Sequence, residues 1–193
     1  MIFYHVDVFS SEILSGNGLT VIFHEEDMNM QYMQAIAQEF KQFETIFLKQ
    51  TGEKRFRARI FTMEEELDFA GHPILGAMAA IHEKLYAEVQ NVTAFFELNN
   101  KTLQAESVKM ESYFQATMNQ GAPGFLGTVE GELVNLFLHA LNLTTDHLHP
   151  TLRTVFEVIF FRITDFRNLI TYYFYYLINI FNVYYKFTNY IIL

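Results

Sequence analysis

The chain has 193 residues, which is enough for one ordinary domain or for two small ones. Hydrophobic residues make up 51% of it and predict a sizeable core, while a formal net charge of −9 argues against a nucleic-acid partner, because phosphate binding requires a clustered positive face. The absence of cysteine excludes disulfides, thiolate metal sites and cysteine nucleophiles, and it fits a cytoplasmic location.

Apolar or alternating runs predict β-strands along the first two thirds of the chain. They cover residues 2–9, 19–23, 45–48, 56–61, 92–98, 103–110 and 113–119. The basic run at residues 54–59 belongs to one of them, because its cations alternate with Phe56 and Ala58. That alternation is typical of a half-buried strand with a solvated cationic face, and an anion-binding patch is the alternative.

The sequence patterns of three segments predict helices. Residues 30–40 carry apolar side chains at the three- and four-residue spacing of one buried face, and either Asn29 or Asp27 provides an N-cap. A second helix, at residues 73–85, is apolar on all sides until His82, which predicts a buried helix that ends in polar residues. The third lies near residues 129–141.

The second helix begins with a Gly-His-Pro sequence. Pro73 suits the first helical position, His72 then becomes the N-cap, and Gly71 permits a tight turn and close approach to a ligand. The free N–H groups and the helix dipole favour an anion such as a carboxylate or an enolate-like oxygen. The alternative is that His72 is only a cap or a buried, hydrogen-bonded histidine.

Residues 171–193 have a different composition from the rest of the chain. They hold seven of its eleven tyrosines, and residues 168–185 carry no charge over nearly the length of a membrane span. Asn179, Asn182 and the tyrosines argue against a transmembrane anchor, so membrane association is not expected. We favour an atypical apolar tail, translated from AT-rich sequence and not selected to fold with the rest. His147 and His149 do not predict a metal site, because no third ligand is indicated.

Four motifs in order resemble those of the phenazine biosynthesis-like (PhzF) family. They are YHVDVFSSEILSGNGLTVIF, FETIFL at residues 43–48 after AIAQEF, RIFTMEEELDFAGHP, and NQGAPGF. The resemblance covers roughly residues 1–125 in register and extends more weakly to about residue 170. It implies an α+β, diaminopimelate-epimerase-like fold, in which two halves each curl a half-barrel of mixed sheet around a central helix, with the active site between them.

By this resemblance, residues 1–118 form a complete first domain with its central helix at 73–85. Residues 119–170 begin a second domain, and residues 171–193 are the atypical apolar tail. The second half of the family supplies a motif of the Asp-Pro-Ala-Thr-Gly-Ser type, and no such motif occurs in this sequence. We therefore expect the second domain to be incomplete.

The resemblance also implies a site. Glu44 is the general acid/base, Gly71 and His72 bind substrate or stabilise developing charge, and Asn17 and Gly18 line the pocket more weakly. A carboxylate that transfers protons near neutral pH needs a raised pKa, and burial between the two apolar halves would raise it. Phe43, Ile46 and Phe47 are expected to supply these apolar surroundings.

The implied function is an isomerase or epimerase that moves a proton on a small carboxylated metabolite. No metal or other cofactor is implied, and a homodimer is possible. Because catalysis needs positioning from both halves, we expect the activity to be impaired. The alternatives are a non-catalytic half-fold that self-associates or binds a partner, and a form tethered to a membrane by the tail.

Overall fold

The computed structural model describes residues 1–10, 12, 14–119, 124–129, 132–140, 142–147, 155–159 and 187–192. The helices are α1 (Met30–Phe40), α2 (Gly71–Tyr86) and α3 (Glu132–Ala140), with a short 3₁₀ helix at Thr145–His147. The strands are β1 (Ile2–Val8), β2 (Asn17–Phe23), β3 (Glu44–Gly52), β4 (Arg55–Phe61), β5 (Glu66–Leu67), β6 (Asn91–Glu97), β7 (Thr102–Lys109), β8 (Phe114–Met118), β9 (Gly124–Val129), β10 (Val155–Ile159) and β11 (Phe187–Ile192).

The chain divides into two compact units. The first comprises Met1–Gln120 together with Lys186–Leu193, and the second comprises Gly121–Tyr185. In the second unit, β9 and β10 form an antiparallel pair and α3 is a helix of nine residues. The predicted domain boundaries stay a prediction, but the last strand differs from the expected tail, since β11 belongs to the sheet of the first unit.

The sheet of the first unit has nine strands in the described residues, in the order β3-β2-β1-β11-β8-β7-β6-β4-β5. Because β4 also pairs with β3, the strands from β3 around to β4 close into a ring, with β5 outside it. The β2–β3 and β4–β6 pairs are parallel and the others antiparallel. β11 lies between β1 and β8 and closes the ring there.

The centre of this ring is α2. Every residue from Gly71 to His82 is buried, and the helix contacts β1, β2, β3, β6, β7, β8 and β11. Gly76 permits the close approach, since a Cβ there would lie 2.5 Å from Leu19 Cδ2 and 2.9 Å from Val8 Cγ2. A helix that is apolar on all sides can bury its whole surface only if the sheet surrounds it. The predicted mixed sheet around a central helix is therefore confirmed.

A second, smaller cluster lies on the outer face of the sheet. There α1 buries Met33 and Ala37 against Ile22, Phe47 and Phe61. Asn29 is the N-cap, as one of the two predicted alternatives, and its side chain accepts a hydrogen bond from the Tyr32 N–H at 2.8 Å. This helix covers the first part of β3 and the last part of β4, which runs antiparallel to it.

Two local predictions about α2 were wrong. The N-cap is Ala70 and not His72, so His72 lies in the first helical turn and Pro73 is the third helical residue. His82 does not begin a polar end, because it is fully buried. Its Nδ1 contacts Ser107 Oγ at 3.0 Å and its Nε2 contacts the Val89 carbonyl oxygen at 2.7 Å, so a buried histidine satisfies both ring nitrogens.

Nothing in the described part of the chain tests the membrane alternative for residues 168–185, which lie outside it. Among the helices that are described, none combines the length and the apolar composition needed to cross a bilayer.

Candidate active site

Glu44 is the first residue of β3 and its side chain is almost completely buried, with 2% of the residue exposed. Its register partner in the parallel pair is Leu19, which packs against Gly76 of the central helix. Since register partners in a sheet project to the same face, the carboxyl group points toward α2. Glu44 is therefore a buried acid on the inner face of the ring, where burial of a charge requires specific partners.

His72 lies opposite Glu44 in the first turn of α2. Its Nδ1 is 3.3 Å from Glu44 Oε2, and 8% of the residue is exposed. The parallel β2–β3 pair brings the start of β3 beside the N-terminus of the helix, so two residues 28 positions apart in the sequence meet. The structure thus brings together the predicted acid/base and the predicted binding histidine.

Burial lowers the pKa of His72 from its ordinary value of 6.5 to about 4. The Glu44 carboxylate, 3.3 Å away, would form an ion pair with a protonated imidazole and so raise the pKa of His72. The loss of hydration on burial lowers that pKa, and this second effect dominates here. At neutral pH the ring is therefore uncharged. Its Nε2 is buried and has no hydrogen-bond partner among the described residues, so one polar atom of the site remains to be satisfied by a ligand.

Phe9 is a site residue that the sequence did not indicate. Its ring centroid lies 6.2 Å from that of His72, and its backbone has a φ of 69°, in the left-handed region that a bulky residue rarely adopts. The residue follows directly after β1. No sequence signal reveals a left-handed phenylalanine, because its position depends on how the chain turns after the strand.

The other predicted site residues are placed less directly. Gly71 precedes His72 at the start of α2 and is buried. Asn17 shares a strand face with Leu19 and so with Glu44, by the alternation of β2. Gly18 projects to the other face, where an added Cβ would meet Gln42 and, at 3.4 Å, His5. Gly18 can therefore line the pocket of Glu44 only through its backbone.

Of the three residues predicted to give Glu44 apolar surroundings, only Ile46 is placed as expected. Phe43 is 73% exposed, and Phe47 packs with α1 on the outer face. Ile46 is buried on the face of Glu44, as expected. Within the described residues there is no group of three His, Asp or Glu side chains that could bind a metal ion. His149 lies outside those residues.

Comparison with known proteins agrees with the fold and the motifs. The family model described as "Phenazine biosynthesis-like protein" (PhzC-PhzF) matches residues 6–161. The chain belongs to this family.

Two curated relatives of this phenazine biosynthesis-like chain are named isomerases. It is 32% identical over 152 residues to "Uncharacterized isomerase YddE" of Escherichia coli (strain K12), which covers 77% of this chain and 50% of the relative. It is 38% identical over 112 residues to "Trans-2,3-dihydro-3-hydroxyanthranilate isomerase" of Pseudomonas chlororaphis, which covers 55% of this chain and 40% of the relative. The chain thus spans about half the length of the relatives it matches.

A solved structure of the family superimposes over most of this chain. The protein described as a "Predicted Epimerase" from Pseudomonas aeruginosa has a TM-score of 0.71 and 36% sequence identity, over 82% of this chain and 55% of its own. The Bacillus anthracis family member, at 24% identity and a TM-score of 0.63, shows the same fold.

Proposed function

We propose that this chain carries the acid/base half of an isomerase site, in which Glu44 transfers a proton on a small carboxylated metabolite. The observation that carries the proposal is the buried pair of Glu44 Oε2 and His72 Nδ1, 3.3 Å apart at the N-terminus of the central helix. A buried carboxyl beside a neutral imidazole is an arrangement suited to proton transfer.

In the proposed reaction, the Glu44 carboxylate removes a proton from a carbon next to an unsaturated, carboxylate-bearing group. The electron pair of the broken C–H bond shifts the double bond, and the carboxylic acid returns its proton to another carbon. No oxidant or co-reactant is needed, because one proton leaves and one proton is added.

In the proposed mechanism, the first turn of α2 binds the substrate and stabilises negative charge on it. The free N–H groups at its start, beside Gly71 and His72, favour negative charge on the substrate carboxylate or on an enolate-like oxygen. The unpaired Nε2 of His72 provides one further polar contact to the substrate. Since the imidazole is neutral, it orients the substrate without holding the Glu44 carboxyl permanently in an ion pair.

The site and one relative's name both support a proposed substrate class. A helix N-terminus beside a buried acid fits a small carboxylate, and the Pseudomonas chlororaphis relative is named for a dihydro-hydroxyanthranilate. We propose a small unsaturated carboxylate of this kind as substrate. Because the match covers 40% of that relative and the sequence has no motif of the Asp-Pro-Ala-Thr-Gly-Ser type, we propose that the activity of this chain is reduced.

The test follows solvent deuterium into trans-2,3-dihydro-3-hydroxyanthranilate by NMR in D₂O, with the full chain as catalyst. We expect incorporation slower than with the Pseudomonas chlororaphis relative, and none with Glu44→Gln. Glu39→Gln is the matched control, because Glu39 is an exposed glutamate on α1 and should leave the rate unchanged. Incorporation that persists in Glu44→Gln at the rate of the unchanged chain would contradict the proposal.

A second candidate function is a non-catalytic module that self-associates, and one observation favours it. Large apolar side chains near the candidate site are exposed in this structure: Phe43 by 73%, Leu14 by 86% and Phe9 by 38%. Exposed apolar surface of this kind marks association sites. Sedimentation of the full chain and of Phe43→Ser distinguishes the isomerase from the self-associating module. A dimer that the Phe43→Ser substitution dissociates, in a chain that shows no Glu44-dependent deuterium exchange, would support the module.

A further inference from the structure

A cleft of about 330 Å³ opens on the outer face of the sheet, where α1 ends its cover of β3 and β4. Lys49, Arg57, Arg59 and Asn99 line one part of it, and Met33 and Phe47 line another. Glu44 and Phe47 are three residues apart on β3, so they project to opposite faces. The cleft is therefore separate from the candidate active site.

Two of the cations that line this cleft lie side by side on the sheet. Lys49 and Arg57 are direct register partners in the antiparallel β3–β4 pair. Like charges at such positions repel and destabilise the pair. Their side chains extend to opposite sides: Lys49 Nζ lies 2.6 Å from Asp27 Oδ1, and the Arg57 guanidinium donates to the Asn99 side-chain oxygen at 2.7 Å and to the Leu98 carbonyl at 3.1 Å.

Neighbouring groups neutralise the positive charges of Arg59, Lys49 and Arg57 to different degrees. Arg59 is held by both carboxylate oxygens of Glu66, at 2.7 and 2.6 Å, which raises the pKa of Arg59 and lowers that of Glu66. Asp27, the partner of Lys49, is 93% exposed, so water weakens that pair. Arg57 donates its hydrogen bonds to neutral acceptors, the Asn99 side chain and the Leu98 carbonyl, and its charge also acts on the carboxylates of Glu66 and Glu97. The cleft therefore keeps a positive charge in a chain whose formal net charge is −9.

The apolar lining of the cleft is limited to Met28, which is partly buried, and to Met33 and Phe47, which are almost fully buried. Phe47 is fully buried in the cluster with Met33, and its ring packs edge-on against Phe61 at 5.5 Å between centroids. A volume of 330 Å³ falls within the usual range for a small-molecule pocket. A ligand with an anionic group and a small apolar part would fit this lining, since guanidinium and ammonium groups bind carboxylate and phosphate oxygens well.

We propose that this cleft is a second binding site, which takes a small organic anion. The carboxylate or phosphate group lies between Lys49 and Arg57 and relieves their repulsion, and the apolar part of the ligand contacts the partly buried Met28. The alternation of cations along β4, which also fits a simple solvated strand face, then contributes to binding.

The experiment titrates the ¹⁵N-labelled full chain with phenyl phosphate, benzoate and inorganic phosphate, and follows amide and Arg57 side-chain resonances at constant ionic strength. We expect saturable shifts on β3 and β4 with phenyl phosphate or benzoate, and weaker binding of inorganic phosphate, which has no apolar part. Arg57→Gln should weaken binding about ten-fold, because it removes a hydrogen-bonding charge.

The matched control is Arg55→Gln. Arg55 lies on the same face of the same strand as Arg57, but it pairs with Glu97 at 2.9 Å and does not line the cleft. Lys49→Met provides a second test if Arg57→Gln does not fold, and Glu44→Gln should leave the binding unchanged. Equal weakening by Arg55→Gln and Arg57→Gln, loss of binding in Glu44→Gln, or the absence of saturation would each overturn the proposal.

Discussion

His72 should make the stability of this protein depend on pH in a way that its replacement removes. The pKa of its imidazole is lowered from 6.5 to about 4 by burial beside Glu44. Above pH 6.5 the residue is neutral in both the folded and the unfolded chain, so it causes no pH dependence there. Between pH 6.5 and pH 4 the unfolded chain binds a proton that the folded chain does not, so stability falls as the pH falls.

The magnitude follows from the lowered pKa. Each tenfold change in proton affinity corresponds to about 1.4 kcal/mol, so a pKa of about 4 in place of 6.5 costs about 3 kcal/mol of stability by pH 4. We expect His72→Asn, which cannot titrate in this range, to lack that loss. The carboxylates and histidines distant from residue 72 titrate in both proteins and cancel, so the difference reports His72 together with its neighbour Glu44, 3.3 Å away.

The assay is urea unfolding of the full chain and of His72→Asn at pH 7, 6, 5 and 4, with the difference in unfolding free energy plotted against pH. The unchanged chain should lose about 3 kcal/mol relative to His72→Asn across this range. Parallel curves would refute the effect of burial. A relative gain by the unchanged chain on acidification would show that His72 is protonated in the folded state, as an ion pair with Glu44.

Three further predictions concern the fold. Gly76→Ala should destabilise the first unit by about 1–3 kcal/mol, because the new Cβ would overlap Leu19 and Val8; an unchanged melting temperature would show that α2 is not packed as described. Asn29→Ala should cost about 1 kcal/mol through the lost cap of α1, measured by urea unfolding against Asn29→Ser, which keeps the cap. Deleting Phe187–Ile192 should open the ring at β1 and β8 and promote aggregation, measured by light scattering; a more soluble deletion would show that β11 does not belong to the ring.

The sequence predicted most of the elements of the first unit, because their signals are local. The seven predicted strands correspond to β1, β2, β3, β4, β6, β7 and β8, with ends that mostly differ by one or two residues. The apolar surface of residues 73–85 predicted the buried helix, since no amphipathic face remained for solvent. Such patterns are strong wherever burial alone decides the structure.

The predictions that failed depend on contacts between distant segments. The polar sequence at His82 gave no sign that Ser107 and Val89 would satisfy both ring nitrogens. β11 has no alternation that distinguishes it from the apolar residues before it, and its place between β1 and β8 is a long-range pairing. The candidate site also combines local and long-range information. Sequence motifs predicted Glu44 and His72, but only the fold places Phe9 beside His72.

The most direct test of the proposed proton transfer combines the first unit of this chain with the second half of a relative's active site. Residues 1–118 and 187–192 of this chain replace the corresponding segments of the Pseudomonas chlororaphis isomerase, and the chimera is assayed for deuterium incorporation into trans-2,3-dihydro-3-hydroxyanthranilate in D₂O. We expect incorporation by the chimera, its loss in Glu44→Gln, and its retention in Glu39→Gln. A folded chimera that incorporates deuterium equally well with Glu44→Gln would contradict the assignment of Glu44 as the acid/base.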